Sequence, residues 1–215
     1  GKVTAYFLEA DKNLYKVEPV LAQNQVPGLQ ATSGMSDAHD AVAAINATYF
    51  AGSGDMLGMV KIDGLMAGTT YYNRSAFGIM PDGSTVFGRV SYSGTVTLGG
   101  ASQSVSGVDA ERGENNLIIY NKWYGSRTRT NDCGMEYTVV NGKVSAINTG
   151  NSVIPADGCV ISVHGTAADA FAGVKAGDKA VIQQELGSPW NDAVDIMGAG
   201  PRLVQDGQVN VTAAD

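Results

Sequence analysis

Short runs of alternating apolar and polar residues recur along the chain, and many of them border an Asp-Gly or Asn-Gly pair. These pairs lie at residues 63–64, 82–83, 141–142, 157–158 and 206–207. Such a pair beside alternating apolar residues is a strong local signal for a tight β-hairpin, since its residues tolerate positive φ. Each pair therefore predicts a reversal of the chain, and together they predict a mostly antiparallel sheet system.

Segments with helical spacing are few. Residues 36–45 combine Ser36 as a capping residue, early acids, and Ala, Val and Ile at helical intervals, which predicts a short helix packed on a sheet. Residues 166–173 predict a second helix of about two turns, capped by Thr166 and ended by Gly173. Residues 91–107 alternate Ser, Thr, Gly and Val, a pattern typical of an exposed hairpin. We therefore expect an α+β fold of mostly antiparallel β-sheets with hairpins and a few short helices, forming a single domain over residues 1–215.

Composition narrows the function classes. With 44% hydrophobic and 16% charged residues, the 215-residue chain fits neither a disordered segment nor a coiled coil. Its net charge of −7 has the wrong sign for binding nucleic acid or anionic lipid through the overall field. The apolar runs fall far short of the roughly 18 residues that a membrane helix needs. We therefore expect neither nucleic-acid binding nor membrane insertion.

Familiar catalytic and cofactor motifs are missing. Cys133 and Cys159 have no Cys-x-x-Cys spacing and no neighbouring His, which argues against a zinc site and leaves open a disulfide or two thiols. The Gly-Ala-Gly-Pro run at residues 198–201 has neither the third glycine nor the following helix of a dinucleotide site. Without a G-x-S-x-G motif, and with His39 and His164 as the two histidines, a serine hydrolase is not indicated. We expect no metal and no cofactor.

Four polar residues stand where strands or apolar stretches begin or end. Asn46 follows an apolar stretch and enters an aromatic, glycine-rich loop, so it either fixes that loop or contacts a ligand. His164 ends an apolar run, where a side chain often reaches a cleft, although it could equally be a structural histidine. Arg74 and Arg112 each precede an apolar strand. They are either surface charges or cations that point into one cleft.

Several stretches, read together, resemble the phosphodiester glycosidase family. They are residues 43–50, 58–64, 74–83, 124–131, 134–136, 154–158, 164–165 and 197–207. Most are glycine turns after strands, so their order over nearly the whole chain carries the resemblance. Ala47 stands where the family usually has a glycine.

The resemblance implies hydrolysis of a sugar-1-phosphodiester, such as an N-acetylglucosamine phosphodiester, with release of free sugar. It implies that Glu136 and Arg74 are catalytic, with Glu136 as the carboxylate near the anomeric carbon. Arg112 would bind the phosphate together with Arg74, and Asn46 and His164 would hydrogen-bond the sugar or the phosphate. We expect strands distant in sequence to bring these side chains to a common pocket.

One departure from the family affects the expected partners. Family members continue beyond the Gly-x-Gly-Pro hairpin with an Arg-Thr-Ala-x-Gly strand and an Asn-Leu-Asp-Gly-Gly-Gly-Ser loop, and neither is in this sequence. We therefore expect the N-terminal larger part of such a domain, with exposed strand edges covered by a C-terminal fragment of the same polypeptide or by a second copy.

Two further function classes stay open beside the enzyme. The chain could be a non-catalytic extracellular glycan-binding module of the same fold, or a structural module. In either case the partner would be a glycosyl phosphodiester or a cell-surface glycan. The acidic pI and the hairpin-rich pattern suit a secreted or cell-surface protein, and we expect a bacterial source.

Overall fold

The computed structural model describes residues 2, 4, 6–69 and 74–211. Within these residues the α-helices are α1 (Thr32–Ala38) and α2 (Thr166–Asp169), and the 3-10 helices are Ala22–Asn24, Lys122–Tyr124 and Trp190–Asp192. The strands are β1 (Val60–Ile62), β2 (Leu65–Gly68), β3 (Ser75–Ile79), β4 (Thr85–Arg89), β5 (Ser93–Leu98), β6 (Ala101–Ser104), β7 (Gly107–Val108), β8 (Leu117–Tyr120), β9 (Gly134–Val140), β10 (Lys143–Asn148), β11 (Gly158–His164), β12 (Ala180–Glu185), β13 (Asp195–Gly198), β14 (Val204–Gln205) and β15 (Gln208–Val209).

The strands form three larger sheets and a separate hairpin. The first sheet has the order β2-β1-β13-β3-β4, so β13 lies between strands that precede it by more than a hundred residues. The second has the order β10-β9-β11-β8-β7, and the third β12-β5-β6. Strands β14 and β15 pair with each other. The pairing is antiparallel except between β7 and β8, which confirms the expected mostly antiparallel α+β fold.

The turn signals locate four hairpins correctly. The pairs at 63–64, 82–83, 141–142 and 206–207 join β1 to β2, β3 to β4, β9 to β10 and β14 to β15. The first residue is left-handed in three of them, with φ of 51° at Asp63, Asn141 and Asp206. The pair at 157–158 also lies at a turn, in which the Gly158 N–H donates to the Pro155 carbonyl oxygen at 3.4 Å, but it does not close a hairpin. That turn leads into β11, which pairs with β9 and β8 rather than with the segment just before the turn.

The first predicted helix is displaced toward the N-terminus. Helix α1 ends at Ala38, because Asp40 adopts a φ of 49° and Ser36 donates a hydrogen bond from Oγ to the Ala41 carbonyl oxygen. Ser36 therefore lies inside the helix instead of capping its start. Residues 41–45 are not helical, and Val42 and Ile45 are 80% and 84% exposed. Since α1 contains no buried residue, the expected packing on a sheet is not found.

Two other elements differ from expectation in extent. Helix α2 has 4 residues and begins after Gly165 rather than after Thr166. The hairpin expected within residues 91–107 is present as β5 and β6, but Val96 and Leu98 are fully buried because their side chains pack in the main core. Strand β12 pairs with the other edge of β5. In the part of the chain described here, no helix combines the length and the apolar character needed to cross a membrane.

The second sheet has the main core on one face and carries the candidate site on the other. Since successive strand residues point to opposite faces, alternate positions of β8, β9 and β11 enter the main core. These positions include Leu117, Ile119, Tyr137, Val139, Ile161 and Val163. On the opposite face, Ile118, Tyr120 and Val160 form a smaller apolar cluster. Glu136 and Ser162 lie on that same face, beside this cluster.

Candidate functional site

Glu136 lies on β9 with its side chain completely buried. Its Oε1 accepts hydrogen bonds from the hydroxyls of Thr130 at 2.7 Å and Ser162 at 2.9 Å. Its Oε2 accepts from the Thr128 hydroxyl at 3.0 Å and from the Ser152 backbone N–H at 2.9 Å. The strand register explains the contact with Ser162, because β11 pairs this residue directly with Glu136. Both carboxylate oxygens are therefore fully engaged by neutral donors.

These donors keep the buried carboxyl ionised. Burial by itself raises the pKa of Glu136, but the hydrogen bonds from Ser152, Thr130 and Ser162 lower it by more. The resulting pKa lies below the ordinary value of 4.5. A carboxylate that accepts several hydrogen bonds commonly behaves in this way. Glu136 is thus a buried anion at neutral pH.

Arg112 is linked to Glu136 through a shared hydroxyl. Its Nη1 donates to Ser162 Oγ at 3.0 Å, and Ser162 donates in turn to Glu136. The other guanidinium nitrogen, Nη2, donates to the backbone oxygen of Asn131 at 3.0 Å and to its Oδ1 at 2.6 Å. Ser162 itself is fully buried. Arg112, Ser162 and Glu136 therefore form a linear network, here called the Arg-Ser-Glu network.

The guanidinium reaches this position because residue 134 is a glycine. A Cβ on Gly134 would lie 2.5 Å from Arg112 Nη1 and 2.2 Å from the Val163 carbonyl oxygen. The Val163 oxygen belongs to the backbone of the central strand and could not give way, whereas the guanidinium would have to move. The glycine of the 134–136 motif thus makes room for Arg112.

His164 lies at the same end of the sheet. The register pairs His164 with Gly134, and strand alternation puts it on the face that carries Ser162. Its backbone N–H donates to the Asn116 carbonyl oxygen at 3.1 Å, and its side chain is half-buried. The structure therefore brings three of the candidates, Glu136, Arg112 and His164, to one end and one face of the second sheet.

Arg74 lies at a different place in the fold, directly before β3 of the first sheet. Its guanidinium carbon stacks 4.6 Å from the centroid of the Tyr49 ring. The Tyr49 hydroxyl is fixed by donation to the Gly200 carbonyl oxygen at 2.7 Å. Among the described residues, the crevice between Tyr49, Arg74 and Gly198 leaves no space for a water molecule.

Asn46 is exposed and precedes Tyr49 on the same loop. Its Oδ1 accepts a hydrogen bond from the Thr32 hydroxyl at 2.7 Å, which ties the loop to the start of α1. Asn46 and Arg74 therefore belong to one neighbourhood through Tyr49, and the Arg-Ser-Glu network belongs to another. Convergence of the two neighbourhoods on one pocket stays a prediction.

Two buried polar side chains near the network were missed by sequence reasoning. Burial raises the pKa of Asp109 well above its ordinary value, although its Oδ1 accepts a hydrogen bond from the Asn121 backbone N–H at 2.9 Å. The Tyr120 hydroxyl is buried on the face that carries Glu136, with its ring centroid 4.5 Å from that of Tyr124. Neither residue lies in a recognisable motif, so the sequence offers no signal for them.

The described residues do not form a metal-binding cluster. Within the described ranges, no three His, Cys, Asp or Glu side chains lie close enough to share an ion. Cys133 is an exposed free thiol and Cys159 a buried one, so the open question about these two cysteines resolves as two thiols.

The comparisons with known proteins agree with the motif-based resemblance. The model of the phosphodiester glycosidase family matches residues 134–215, a stretch that contains Glu136 and His164. This match confirms the resemblance to the family and supports a glycosidase-like function. The match covers less than half of the chain. Asn46, Arg74 and Arg112 lie outside it, because they precede residue 134. The sequence matches none of the curated proteins.

Two solved structures share the fold. A hypothetical protein from Synechocystis is 25% identical, with a TM-score of 0.75 over 91% of this chain. A protein of Burkholderia pseudomallei K96243 that is proposed to be exported is 17% identical, with a TM-score of 0.69 over 85% of this chain. At that identity the second likeness shows the fold alone. The chain spans 38% and 46% of the lengths of these two proteins.

Proposed function

We propose that this chain forms part of a phosphodiester glycosidase, which hydrolyses a sugar-1-phosphodiester and releases the free sugar. The Arg-Ser-Glu network carries this proposal, because it links a guanidinium through Ser162 to a buried carboxylate that lies in a family-like motif. The donor set suits an anionic substrate, since a guanidinium binds phosphate oxygens with paired hydrogen bonds.

The reaction breaks the bond between the anomeric carbon and the phosphate oxygen. Water adds its oxygen to that carbon and loses a proton, and the phosphate departs with the bonding electron pair. Because a phosphate monoester anion is a good leaving group, cationic donors matter more than a strong acid. Arg112, and Arg74 if the two neighbourhoods converge, would stabilise the charge that develops on the phosphate.

The burial of Glu136 defines its proposed part in the chemistry. Both oxygens are occupied, so a direct attack on the anomeric carbon would first require loss of hydrogen bonds to Thr130 or Ser152. We therefore assign Glu136 as a positioning carboxylate, which orients Ser162 and Arg112 and balances the arginine charge. Asn46 and His164 are proposed to hydrogen-bond the sugar or the phosphate. The donors that hold Glu136 keep its pKa below the ordinary value, so the carboxylate is charged at neutral pH.

The proposal is tested by turnover of a defined substrate. The protein as encoded by its gene is incubated with UDP-N-acetylglucosamine and with a glycosyl phosphodiester of a simple alcohol, and free sugar is measured. We expect release of sugar, and a loss of about two to three powers of ten in kcat/KM for Arg112→Lys, which keeps the charge but loses the paired donors. Arg89→Lys, at an exposed site on β4, is the matched control. No release by the wild-type protein from either substrate, or equal rates for Arg112→Lys and wild type, would refute the proposal.

The second candidate function is a non-catalytic extracellular glycan-binding module. The full occupancy of both Glu136 oxygens favours it, because a carboxylate without free lone pairs resembles a structural anchor. Such a module would bind the substrates in the same assay saturably and release no sugar. The proposed location outside the cell fits both functions.

A further inference from the structure

An open cleft lies between the N-terminal 3-10 helix and α1, in a segment that precedes in sequence the motifs that suggested the function. It encloses about 400 Å³, within the range of about 300–1,000 Å³ typical of small-ligand sites. The residues that line it, here called the amide cleft, are Leu21, Gln23, Asn24, Gln30, Ala38 and His39.

The lining has the chemistry of a sugar site rather than of an ion site. Gln23, Asn24 and Gln30 contribute amides that both donate and accept hydrogen bonds, as sugar hydroxyls do. His39 adds an imidazole, and Leu21 an apolar surface for a ring face. Among the described residues that line the cleft there is no Lys, Arg, Asp or Glu. A neutral polyhydroxyl ligand therefore suits it better than a phosphate.

The backbone fixes two of these amides in an uncommon conformation. Gln23 and Asn24 both have a φ of 56°, which only a few per cent of non-glycine residues adopt. The Gln23 N–H donates to Gln30 Oε1 at 2.9 Å, so a hydrogen bond joins the two walls of the cleft. Such left-handed residues concentrate at ligand sites, where the surrounding structure holds them in place.

The same segment is anchored to the loop that holds Glu136. The Val26 N–H donates to the Trp123 carbonyl oxygen at 2.7 Å. Arg129 donates from Nη2 to the Tyr124 carbonyl oxygen at 2.7 Å and to the Val26 carbonyl oxygen at 3.4 Å. Arg129 stands between the two threonines that hydrogen-bond Glu136. One wall of the amide cleft is therefore tied directly to the scaffold of the Arg-Ser-Glu network.

From this geometry we infer that the amide cleft is a glycan subsite, which binds a neutral sugar ring of the substrate by hydrogen bonds to Gln23, Asn24 and His39. The choice of a sugar as ligand rests on the proposed function. The phosphate is left to the arginines, and the amide cleft provides affinity and selectivity for the sugar part.

The test removes the amides without disturbing the backbone. Because both residues have positive φ, the double variant Gln23→Gly with Asn24→Gly keeps the conformation and deletes the side chains. Asn141→Gly, in the β9–β10 turn with a φ of 51°, is the matched control. His39→Ala, at an exposed position, is a second test variant that can be used if the double variant does not fold. Circular dichroism checks the fold of each variant.

Binding of N-acetylglucosamine, glucose, galactose and mannose is measured by saturation-transfer NMR and calorimetry. We expect at least one sugar to bind the wild-type protein saturably, and the double variant to weaken that binding about tenfold or more, as expected for loss of two hydrogen-bonding side chains. The control should bind as the wild type does. The inference is overturned if none of the four sugars binds the wild-type protein, or if folded double variant or folded His39→Ala binds with unchanged affinity.

Turnover separates this inference from the proposed function. If the phosphodiester is cleaved and the double variant shows an unchanged KM, the amide cleft is not the sugar subsite and the reaction stands. If the sugar binds through the amide cleft but no substrate is cleaved, the proposed reaction is wrong and the subsite is supported. The protein would then be the glycan-binding module.

Discussion

Glu136 illustrates how far single residues can be read from a sequence. The 134–136 motif marked it as the carboxylate of interest, and the structure gives it a charge partner, Arg112, that was also a candidate. Its four hydrogen bonds come from Thr128, Thr130, Ser152 and Ser162, none of which was singled out. Hydroxyl residues are too common for their spacing to reveal a partner, and only the β9–β11 register brings Ser162 opposite Glu136.

The depressed pKa of Glu136 predicts a pH-dependent contribution to stability. Because the folded-state pKa lies below the ordinary value of 4.5, this contribution is fully present above that pH and is lost as the pH falls through the folded-state pKa. We expect Glu136→Gln to lower the free energy of unfolding at neutral pH by about 1–3 kcal/mol. The difference from wild type should shrink below about pH 4.5. Urea titrations followed by tryptophan fluorescence measure both values, and a difference that stays constant down to pH 3 would show that the carboxylate charge is not stabilising.

The two cysteines should differ sharply in reactivity. Burial, followed by the nearby Asp109, raises the pKa of Cys159 to about 12, whereas Cys133 is exposed. Since the thiolate is the reactive form, an aromatic disulfide reagent should titrate one thiol in the native protein and both after unfolding. Cys133→Ser should abolish the native reaction. Rapid modification of both thiols in the folded protein, or of neither, would disagree with this arrangement.

At the scale of elements, Gly134 affects both the stability of the second sheet and the position of Arg112. We expect Gly134→Ala to destabilise the fold by about 1–3 kcal/mol and to displace Arg112, because the new Cβ would meet the Val163 carbonyl oxygen and the guanidinium. Gly173→Ala is the control, since its Cβ would meet no atom within 4 Å. Thermal unfolding of the two variants measures the effect. Equal melting temperatures would mean that the strand end is looser than described.

The hairpins were predictable more accurately than the bounds of the helices, for a physical reason. An Asp-Gly or Asn-Gly turn is a local property, so the turns at 63–64, 82–83, 141–142 and 206–207 could be placed without knowing the fold. The turn at 157–158 has the same signal, but the partners of β11 come from elsewhere in the chain. Residues 36–45 have helical spacing, yet the helix ends earlier because Asp40 turns the backbone. Pairing of distant strands, such as β13 with β1 and β3, has no local signal.

At the scale of the whole molecule, several large apolar side chains are exposed to solvent. Val42 and Ile45 are more than three quarters exposed, as are Phe7 and Val209. We expect this surface to be covered by a second copy or by another segment of the same polypeptide, as the exposed strand edges also suggested. Light scattering should give a mass above the 22.3 kDa of the chain. A mass equal to that of the single chain, with no accompanying peptide, would contradict this expectation.

The central claim is that Arg112 and Glu136 act as one unit through Ser162, and a double-mutant cycle on turnover tests it most directly. The kcat/KM for a glycosyl phosphodiester is measured for wild type, Arg112→Lys, Glu136→Gln and the double variant, with each fold checked by circular dichroism. If the residues act as a unit, the double variant should lose little more activity than the more damaged single variant. If the losses in the two single variants multiply in the double variant, Arg112 and Glu136 act independently and the proposed network is wrong.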